Sequence, residues 1–236
     1  MLSRPFVLSV IVPVWMEAAG IGVALQALQG LRAAGHEVIV ADAGSPDRTA
    51  ELAAPLCDRV VVSEKGRALQ MNAGAAVARG DVLLFLHADT RLPEDVLSQL
   101  EAFITAPRAW GRFDVRLSGG RRIYRVIAGF MNARSRLTGI CTGDQAMFVR
   151  RPVFEALGGF RPVPLMEDVE LSRRLRGHSR PFCVASPVMT DSRRWEKRGV
   201  WPTIFLMWRL RWRYWRGESP ESLSKLYRSD IRHDSH

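Results

Sequence analysis

Short apolar segments alternate with helical segments through the N-terminal third of the chain, and this alternation restricts the fold more than any other feature. Each apolar run is short enough for a strand buried on both faces, whereas the segments between them have apolar residues at helical spacing. We predict strands at residues 6–14, 37–41, 59–63 and 82–86, and helices at residues 21–34, 49–56 and 67–78. Strands and helices in this order form a doubly wound, mostly parallel sheet, so the sequence predicts an α/β fold.

The strand at residues 82–86 ends abruptly in His87-Ala88-Asp89-Thr90. Ligands bind at the carboxyl ends of parallel strands, and an Asp placed there can hold a divalent cation against a diphosphate. The same tetrapeptide also fits the start of the next helix. Asp42 follows the second strand and is either a ligand for a base or ribose or part of an Asx turn. Arg67 begins a helix, where it would either contact a phosphate or be solvated.

The second half of the chain has a less regular pattern. We predict helices at residues 93–104, 122–137, 152–157 and 167–176, strands at residues 109–117, 146–149 and 182–185, and a disordered end at residues 229–236. Glu167 and Asp168 begin one of these helices, where acidic side chains interact favourably with the helix dipole. That placement alone does not require a catalytic role.

The chain is strongly basic, with a formal net charge of +10 and a pI of about 10.6. This balance favours anionic partners such as nucleotide phosphates, nucleic acid or acidic lipid headgroups. The three cysteines are scattered without the spacing of a metal site, which fits a reducing cytosol. Because no apolar run reaches the roughly 20 residues of a membrane span and no signal peptide is evident, we expect a cytoplasmic protein.

The C-terminal segment combines aromatic and basic residues at helical spacing. An aromatic stripe is formed by Trp201, Phe205, Trp208, Trp212 and Trp215, and a neighbouring basic stripe by Arg209, Arg213 and Arg216. Three interpretations remain open: a helix that packs on the domain with its Arg residues outward, a helix that lies on a membrane surface, and a dimer contact. Nucleic-acid binding is not favoured, because no recognisable module is present. We therefore divide the chain into a domain at residues 1–199 and a helical appendage at residues 200–236.

Six segments occur in a recognisable order: residues 10–17 (VIVPVWME), 40–49 (VADAGSPDRT), 86–90 (LHADT), 143–151 (GDQAMFVRR), 166–171 (MEDVEL) and 193–195 (RRW). Together they resemble family 2 glycosyltransferases over roughly residues 6–215. The short chain also resembles a bacterial branch of that family that is linked to arsenosugar-type biosynthesis. The resemblance implies a GT-A fold and transfer of a sugar from a nucleotide-diphosphate sugar, usually with a divalent metal and inversion at the anomeric carbon.

The resemblance also implies a donor site. Its nucleotide-binding residues are Pro13, Glu17, Asp42, Arg67 and Asp89. Asp89 matches the last carboxylate of the family's Asp-x-Asp metal motif, but the first Asp is replaced here by His87. An imidazole at that position would ligate Mn²⁺ or meet the ribose, and its lack of negative charge leaves the choice between Mn²⁺ and Mg²⁺ open.

On the acceptor side, Asp168 matches the catalytic base, which would take the proton of the acceptor hydroxyl as that oxygen attacks the anomeric carbon. The other acceptor-side residues implied by the resemblance are Gly143, Asp144, Gln145, Glu167, Arg194 and Trp195. Trp195 would stack on an acceptor sugar, and Arg194 would assist the leaving diphosphate.

We predict an inverting, metal-assisted glycosyltransferase whose acceptor is a small molecule or a lipid-linked molecule. The C-terminal helix would contact the inner face of the membrane or a second copy of the chain, and nucleic acid is not an expected partner. One alternative is a nucleotidyltransferase, although the loop at residues 13–17 lacks the Gly-rich, basic character that holds a triphosphate. The other is a membrane-surface binding module whose nucleotide site is vestigial because of His87.

Overall fold

The fold is built on one mixed β-sheet with helices packed on both faces. The structure, a computed structural model, describes residues 6–232, apart from the side chains of Arg194 and of residues 228–232. The strands in this range are β1 (Leu8–Val14), β2 (Glu37–Asp42), β3 (Arg59–Val62), β4 (Val82–Phe85), β5 (Thr90–Arg91), β6 (Trp110–Leu117), β7 (Phe148–Arg150) and β8 (Phe182–Thr190). Their order across the sheet is β3-β2-β1-β4-β7-β6-β8-β5.

Helices connect and cover these strands. Those in the described range are α1 (Ile21–Gln26), α2 (Gln29–Ala33), α3 (Thr49–Ala53), α4 (Arg67–Val77), α5 (Val96–Thr105), α6 (Arg122–Thr138), α7 (Arg151–Ala156), α8 (Glu167–Leu175), α9 (Arg193–Arg198), α10 (Val200–Trp215) and α11 (Pro220–Arg232). Short 3₁₀ turns lie at Ala54–Leu56 and Gly143–Gln145.

Strands β3, β2, β1 and β4 run parallel to one another, as their alternation with helices predicts. Every residue of β2 and β4 is buried, because both faces of the sheet are covered. Val10 and Leu84 point into a core shared with α1 and α5. Ile11 and Phe85 point to the opposite face, into a core shared with α4, α7 and α8. The predicted α/β fold with a mostly parallel sheet is therefore confirmed.

Strand β7 enters the sheet antiparallel to its neighbours β4 and β6. It was expected at residues 146–149 and lies at Phe148–Arg150. Because the pairing is antiparallel, the beginning of β7 lies beside the end of β4, and the Phe85 N–H donates to the Met147 carbonyl over 2.9 Å. The 3₁₀ turn that precedes β7 is thereby brought to the carboxyl edge of the parallel strands.

Strand β8 is longer than the sequence predicts. It continues past residue 185 to Thr190, although Ser186 and Pro187 interrupt its apolar pattern. The interruption coincides with a register shift between Phe113 and Asp114 in the facing strand β6. The extended end of β8 pairs with β5, the two-residue strand that follows Asp89. The helix expected to begin at residue 93 consequently starts only at Val96.

Two predicted helices are shorter than expected. The helix expected at residues 21–34 is broken into α1 and α2, because the side-chain amide of Gln29 donates to the carbonyls of Leu25 and Leu56 over 2.8 and 2.9 Å. The helix expected at residues 49–56 ends at Ala53 and tightens into a 3₁₀ turn at Pro55, which has no N–H for an α-helical bond. Other boundaries move by only a few residues.

The aromatic stripe of α10 points away from the domain. Its five members are between 58% and 71% exposed, whereas the buried face of the helix consists of Val200, Thr203, Leu206 and Leu210. The helix therefore packs on the domain, as one of the three interpretations holds, but through this aliphatic face and not through the aromatic stripe. The expected disorder at residues 229–236 is wrong for residues 229–232, which continue α11; residues 233–236 lie outside the described range.

Candidate functional site

The loops that follow β1, β2 and β4 lie side by side at one edge of the sheet. Hydrogen bonds join the first two loops: the N–H groups of Met16 and Glu17 donate to the hydroxyls of Ser45 and Thr49, each over 2.9 Å. The Leu86 N–H donates to the Ile11 carbonyl over 3.0 Å, which fixes the end of β4 beside β1. This edge is the position at which open α/β sheets bind ligands.

Asp42 holds its own loop through Ser45, three residues on, so its bonding differs from the two-residue spacing of an Asx turn. Its buried carboxylate accepts hydrogen bonds from the Ser45 N–H at 2.8 Å and from the Ser45 hydroxyl at 2.5 Å. Because Ser45 also binds the Met16 N–H, Asp42 holds the two loops in a common frame. Pro13 is half-buried near the carboxyl end of strand β1, where it pairs with Ala41 of β2.

Gln70 is a structural member of this edge that sequence reasoning missed. Its buried side-chain amide donates to the carbonyls of Val14 at 2.6 Å and Ala41 at 3.0 Å, at the ends of β1 and β2. The residue lies in the Ala-rich helix α4, where a Gln resembles an ordinary surface residue. Only its burial against two strand ends identifies it.

Asp89 is exposed at the edge, and its loop is held by β8. The Asp191 N–H donates to the Asp89 carbonyl over 3.2 Å, and the hydroxyls of Thr90 and Thr190 are 3.1 Å apart. Glu17 faces the same space. Its pKa is raised, first by burial and then by the negative charge of Asp89, while Arg193 and Arg67 oppose the shift. Two facing carboxylates that raise a pKa in this way form an oxygen-rich environment suited to a hard divalent cation.

His87 is enclosed by the segment that precedes β7. Its side chain is 11% exposed, and its Nδ1 atom lies 3.6 Å from Oδ1 of Asp144. A Cβ atom on Gly143 would lie 2.4 Å from Cε1 and 2.5 Å from Nε2 of the imidazole, so the ring packs directly on the Gly143 backbone. Among the described residues, no three His, Cys, Asp or Glu side chains are grouped to hold a metal. A cation at Asp89 would therefore need oxygen ligands from a bound diphosphate or water.

Asp168 lies at the start of α8 and faces the same turn. Its carboxylate accepts hydrogen bonds from the N–H groups of Gly143 and Val169, each at 2.7 Å. Met166, two residues before Asp168, has φ of 68°, a left-handed conformation that is uncommon for a residue other than glycine and directs the helix start into the cleft. The acidic pair Glu167-Asp168 is thus fixed by backbone geometry and by Gly143.

Glu167 and Arg67 connect the donor and acceptor sides of the cleft. Burial raises the pKa of Glu167, and the charge of Asp168 raises it further, whereas Arg67 and His87 act in the opposite direction. Desolvation acts to lower the pKa of Arg67, but Glu167, Asp144 and other negative groups together raise it. Arg67, although exposed, therefore faces the acidic groups of the acceptor side.

Of the segment at residues 193–195, Arg193 faces Glu17 and forms an ion pair with Asp191 at 2.6 Å. The side chain of Arg194 lies outside the described residues. Trp195 is half-buried and lines a cavity of about 290 Å³ between α6 and α10, together with Asp144.

Gln145 is fully buried, and its side-chain oxygen accepts a hydrogen bond from the Thr142 N–H at 3.3 Å. The structure therefore does not bring Gln145 to the surface of the cleft.

The family follows from comparison with known proteins. The model of glycosyl transferase family 2 matches residues 9–158, which hold β1 to β7 and most of the carboxyl edge. The chain belongs to this family. Its fold is GT-A-like, an α/β sheet with flanking helices.

Two solved structures share the fold with this chain. A mannosyltransferase from Pyrobaculum calidifontis, solved with GDP-Man and Mn²⁺, is 23% identical, covers 89% of this chain and 61% of its own, and superposes with a TM-score of 0.63. Glucosyl-3-phosphoglycerate synthase from Mycobacterium tuberculosis, solved with Mn²⁺, UDP and its product, is 20% identical, covers 77% of this chain and 70% of its own, and has a TM-score of 0.56.

A curated relative is the beta-monoglucosyldiacylglycerol synthase of Synechocystis sp., which is 25% identical over 215 residues. The alignment covers 78% of this chain but only 45% of that synthase, so the chain spans less than half the length of this relative. Within residues 6–232 of the present protein, no helix is both long enough and apolar enough to cross a bilayer.

Proposed function

We propose that the protein transfers a sugar from a nucleotide-diphosphate sugar to an acceptor hydroxyl with inversion at the anomeric carbon. Asp168 takes the hydroxyl proton while the acceptor oxygen forms its bond to the anomeric carbon. The bond from that carbon to the phosphate oxygen breaks, and the nucleoside diphosphate leaves. The observation that carries this proposal is the carboxylate of Asp168, which two backbone N–H groups hold facing the same cleft as Arg67 and Asp144.

The donor binds at the edge formed by the loops after β1, β2 and β4. Pro13 and Glu17 line the nucleotide pocket, and Asp42 supports the base-reading loop through Ser45. Arg67 and Asp89 bracket the diphosphate, and the family's solved members with UDP and GDP-Man support a donor of this class.

A divalent cation, Mn²⁺ or Mg²⁺, fits the oxygen-rich space between Asp89 and Glu17. Asp89 would hold it, with His87 beside it as a ligand or as a contact to the ribose. When bound, such a cation stabilises the negative charge that develops on the leaving diphosphate. The protein's own contribution is to fix Asp89 through the pairing of β5 with β8.

The acceptor lies between α6, α8 and α10. Gly143 and Asp144 form its border with the donor site, Glu167 adds a second carboxylate beside Asp168, and Trp195 offers an aromatic face. Arg194 completes this side in the family pattern. We assign residues 1–199 to the catalytic domain and residues 200–236 to a helical appendage that closes the acceptor side.

The base assignment is tested by Asp168→Asn, with the exposed Glu94→Gln as the control. Nucleoside diphosphate release is measured with a panel of UDP- and GDP-sugars and Mn²⁺. We expect the variant to bind nucleotide like the wild type but to turn over at least about 100-fold more slowly, the range typical for loss of a general base. Transfer at the wild-type rate would show that Asp168 is not the base. The anomeric configuration of the product, read by NMR, tests inversion.

The cation is tested by Asp89→Ala in calorimetry of UDP and GDP with and without Mn²⁺. We expect Mn²⁺ to tighten nucleotide binding to the wild type and to have no such effect on the variant. Equal enhancement in both proteins would assign the cation to other residues. Pyrophosphate release from a nucleoside triphosphate would instead favour a nucleotidyltransferase.

We further propose that the aromatic stripe of α10 contacts the inner face of the membrane. Its exposed Trp residues and the neighbouring Arg209 and Arg216 suit the headgroup region. Flotation with vesicles of phosphatidylglycerol and phosphatidylcholine tests this contact. The variant Trp201→Ser/Trp212→Ser/Trp215→Ser should remain unbound, and unchanged flotation would overturn the proposal. Loss of a dimer in sedimentation, without any vesicle binding by the wild type, would assign the stripe to self-association.

A further inference from the structure

A cavity of about 290 Å³ lies next to the acceptor side of the cleft, between α6 and α10. Its walls are mostly apolar and aromatic: Ile127, Phe130, Met131, Trp195, Ile204, Met207 and Trp208. Asp144 borders it, and the adjacent Gly143 N–H is the group that donates to Asp168. A molecule in this cavity would therefore reach the proposed base along the line from Asp144 to Asp168.

Arg134 and Arg211 line the same cavity, and burial acts against the charge of both. Within the described part of the chain, the Nε and Nη2 atoms of Arg134 are buried and have no hydrogen-bond partner. Desolvation lowers the pKa of Arg134 to about 10, and the positive charge of Arg211 adds to that effect. Desolvation also lowers the pKa of Arg211, although Asp168 and Asp144 act against it. Buried donors in this state favour an anionic partner.

The same two arginines separate this cavity from a second one of about 400 Å³, which is lined by further cations, Arg173 and Arg176. An anion placed between Arg134 and Arg211 would thus lie among several cations, although the charges of Asp144 and Asp168 act on the same two arginines. On the opposite side, the groove opens between Phe130 and Trp208, which are 73% and 65% exposed. The groove thus has positive charge at its floor and apolar surface at its mouth. These features suit a molecule that has an anionic group and an apolar chain.

We propose that the acceptor is an amphiphile whose anionic group, a phosphate or a carboxylate, binds between Arg134 and Arg211 while its apolar chain lies along the α6–α10 cavity. This inference rests on the proposed function, since it takes the cleft at Asp168 as the site of transfer. It adds the chemical class of the acceptor and two binding residues outside the family motifs.

The test uses the full chain and soluble probes of matched chain length. Octyl phosphate and nonanoate carry the two candidate anionic groups, octyl β-glucoside carries a neutral one, and inorganic phosphate has no chain. Calorimetry should show the better of the two anionic probes binding at least about tenfold more tightly than either control probe, a difference of about 1.4 kcal/mol. Which of the two is tighter identifies the anionic group.

Arg134→Gln and Arg211→Gln should each weaken the preferred anionic probe by about tenfold or more. Arg125→Gln is the matched control, because Arg125 lies on α6 but is exposed and outside the cavity lining. It should leave probe binding unchanged. Nucleotide binding with Mn²⁺ is measured on every variant, and an unchanged value shows that each remains folded with its donor site intact.

Three results would overturn the inference. The first is equal affinity for octyl β-glucoside and the anionic probes, and the second is unchanged probe binding in both Arg variants. The third is a loss of nucleotide affinity in those variants as large as the loss of probe affinity, which would assign the arginines to the donor diphosphate. Failure of the proposed function is a different result: no sugar donor releases its nucleotide, whereas selective binding of the anionic probe persists.

Discussion

No side chain fits at position 143, because the imidazole of His87 occupies the space beside the Cα atom of Gly143. The same residue donates its N–H to Asp168, so one glycine determines the distance between the donor-side His87 and the proposed base. The sequence shows Gly143 only as a member of a family segment. The close approach of the ring depends on the antiparallel entry of β7, which no local pattern encodes.

Gly143→Ala should therefore damage the site. The added Cβ would lie 2.4 Å from Cε1 of His87, so either the ring or the Gly143 backbone must move. We expect a loss of about 1–3 kcal/mol in the free energy of unfolding, typical of overpacking, together with reduced turnover. Gly120→Ala is the control, because nothing lies within 4 Å of its Cβ position. Thermal unfolding and nucleotide release measure both effects, and wild-type values for Gly143→Ala would contradict the packing argument.

Glu167 should make stability depend on pH. Its pKa is raised above the usual 4.5 by burial and by Asp168, so the ionised form is disfavoured in the folded state. The carboxyl group then contributes stability below pH 4.5 that is lost as the pH rises through its higher folded-state pKa. Glu167→Gln mimics the protonated form. The melting temperature of the variant minus that of the wild type should increase by a few degrees from pH 4 to pH 8. The exposed Glu94→Gln should show no such trend, and a flat difference for Glu167→Gln would contradict the assignment.

At the scale of elements, helix α4 approaches the sheet at Gly74. A Cβ atom there would lie 2.5 Å from Cγ2 of Ile11 in β1, so the glycine sets the distance between helix and strand. The same helix carries Gln70, which bonds the ends of β1 and β2. The spacing of α4 is therefore coupled to the geometry of the carboxyl edge of the sheet, where we propose that the nucleotide binds.

Gly74→Ala should destabilise the protein by about 1–3 kcal/mol, although alanine is the better helix former, because the clash with Ile11 outweighs the gain in propensity. Gly22→Ala in α1 offers the contrast. Its Cβ position has nothing within 4 Å, so the substitution should stabilise by about 0.4–1 kcal/mol through the unfolded state. Urea unfolding of both variants compares the two effects, and destabilisation of similar size at both positions would refute the role of the close contact.

Periodicity predicted helix α10 but not its orientation. The helix has two apolar faces, one aromatic and one formed by Val200, Leu206 and Leu210, and both repeat at helical spacing. The aliphatic face is the buried one, because Leu206 and Leu210 pack with Met166 and with Leu223 of α11. That contact depends on the position of α11, which carries Leu223, Leu226 and Tyr227 at helical spacing. Both stripes of α10 and this apolar set can be recognised in the sequence, but the sequence does not show which stripe α11 covers.

At the scale of the whole molecule, the parallel half of the sheet was predictable because each strand is a continuous apolar run. Asp42, Asp89 and the donor edge followed from those strands and from the family motifs. The acceptor side was less predictable, since Arg134 and Arg211 belong to helices whose Arg residues otherwise face solvent. Their burial results from packing between α6 and α10, which are distant in the chain, and a single sequence contains no signal for that contact.

The net charge of +10 should make membrane association depend on salt. Attraction between arginines and anionic headgroups is screened within a Debye length of about 10 Å at 0.1 M salt and about 3 Å at 1 M. Flotation with phosphatidylglycerol vesicles should decline steeply as NaCl increases from about 0.05 to about 0.5 M. Phosphatidylcholine vesicles serve as the control and should bind weakly at every salt concentration. Salt-independent binding to both lipids would mean that the Trp residues act without help from charge.

The short pairing of β5 with β8 has a mechanical consequence. On one side of this bridge stands Asp89, and on the other the chain turns directly into Arg193 and Trp195. A displacement of α9 would therefore act on the loop that carries Asp89 through a ladder only two residues long. We expect the proposed donor and acceptor sites, which lie on the two sides of this ladder, to be coupled in their affinities.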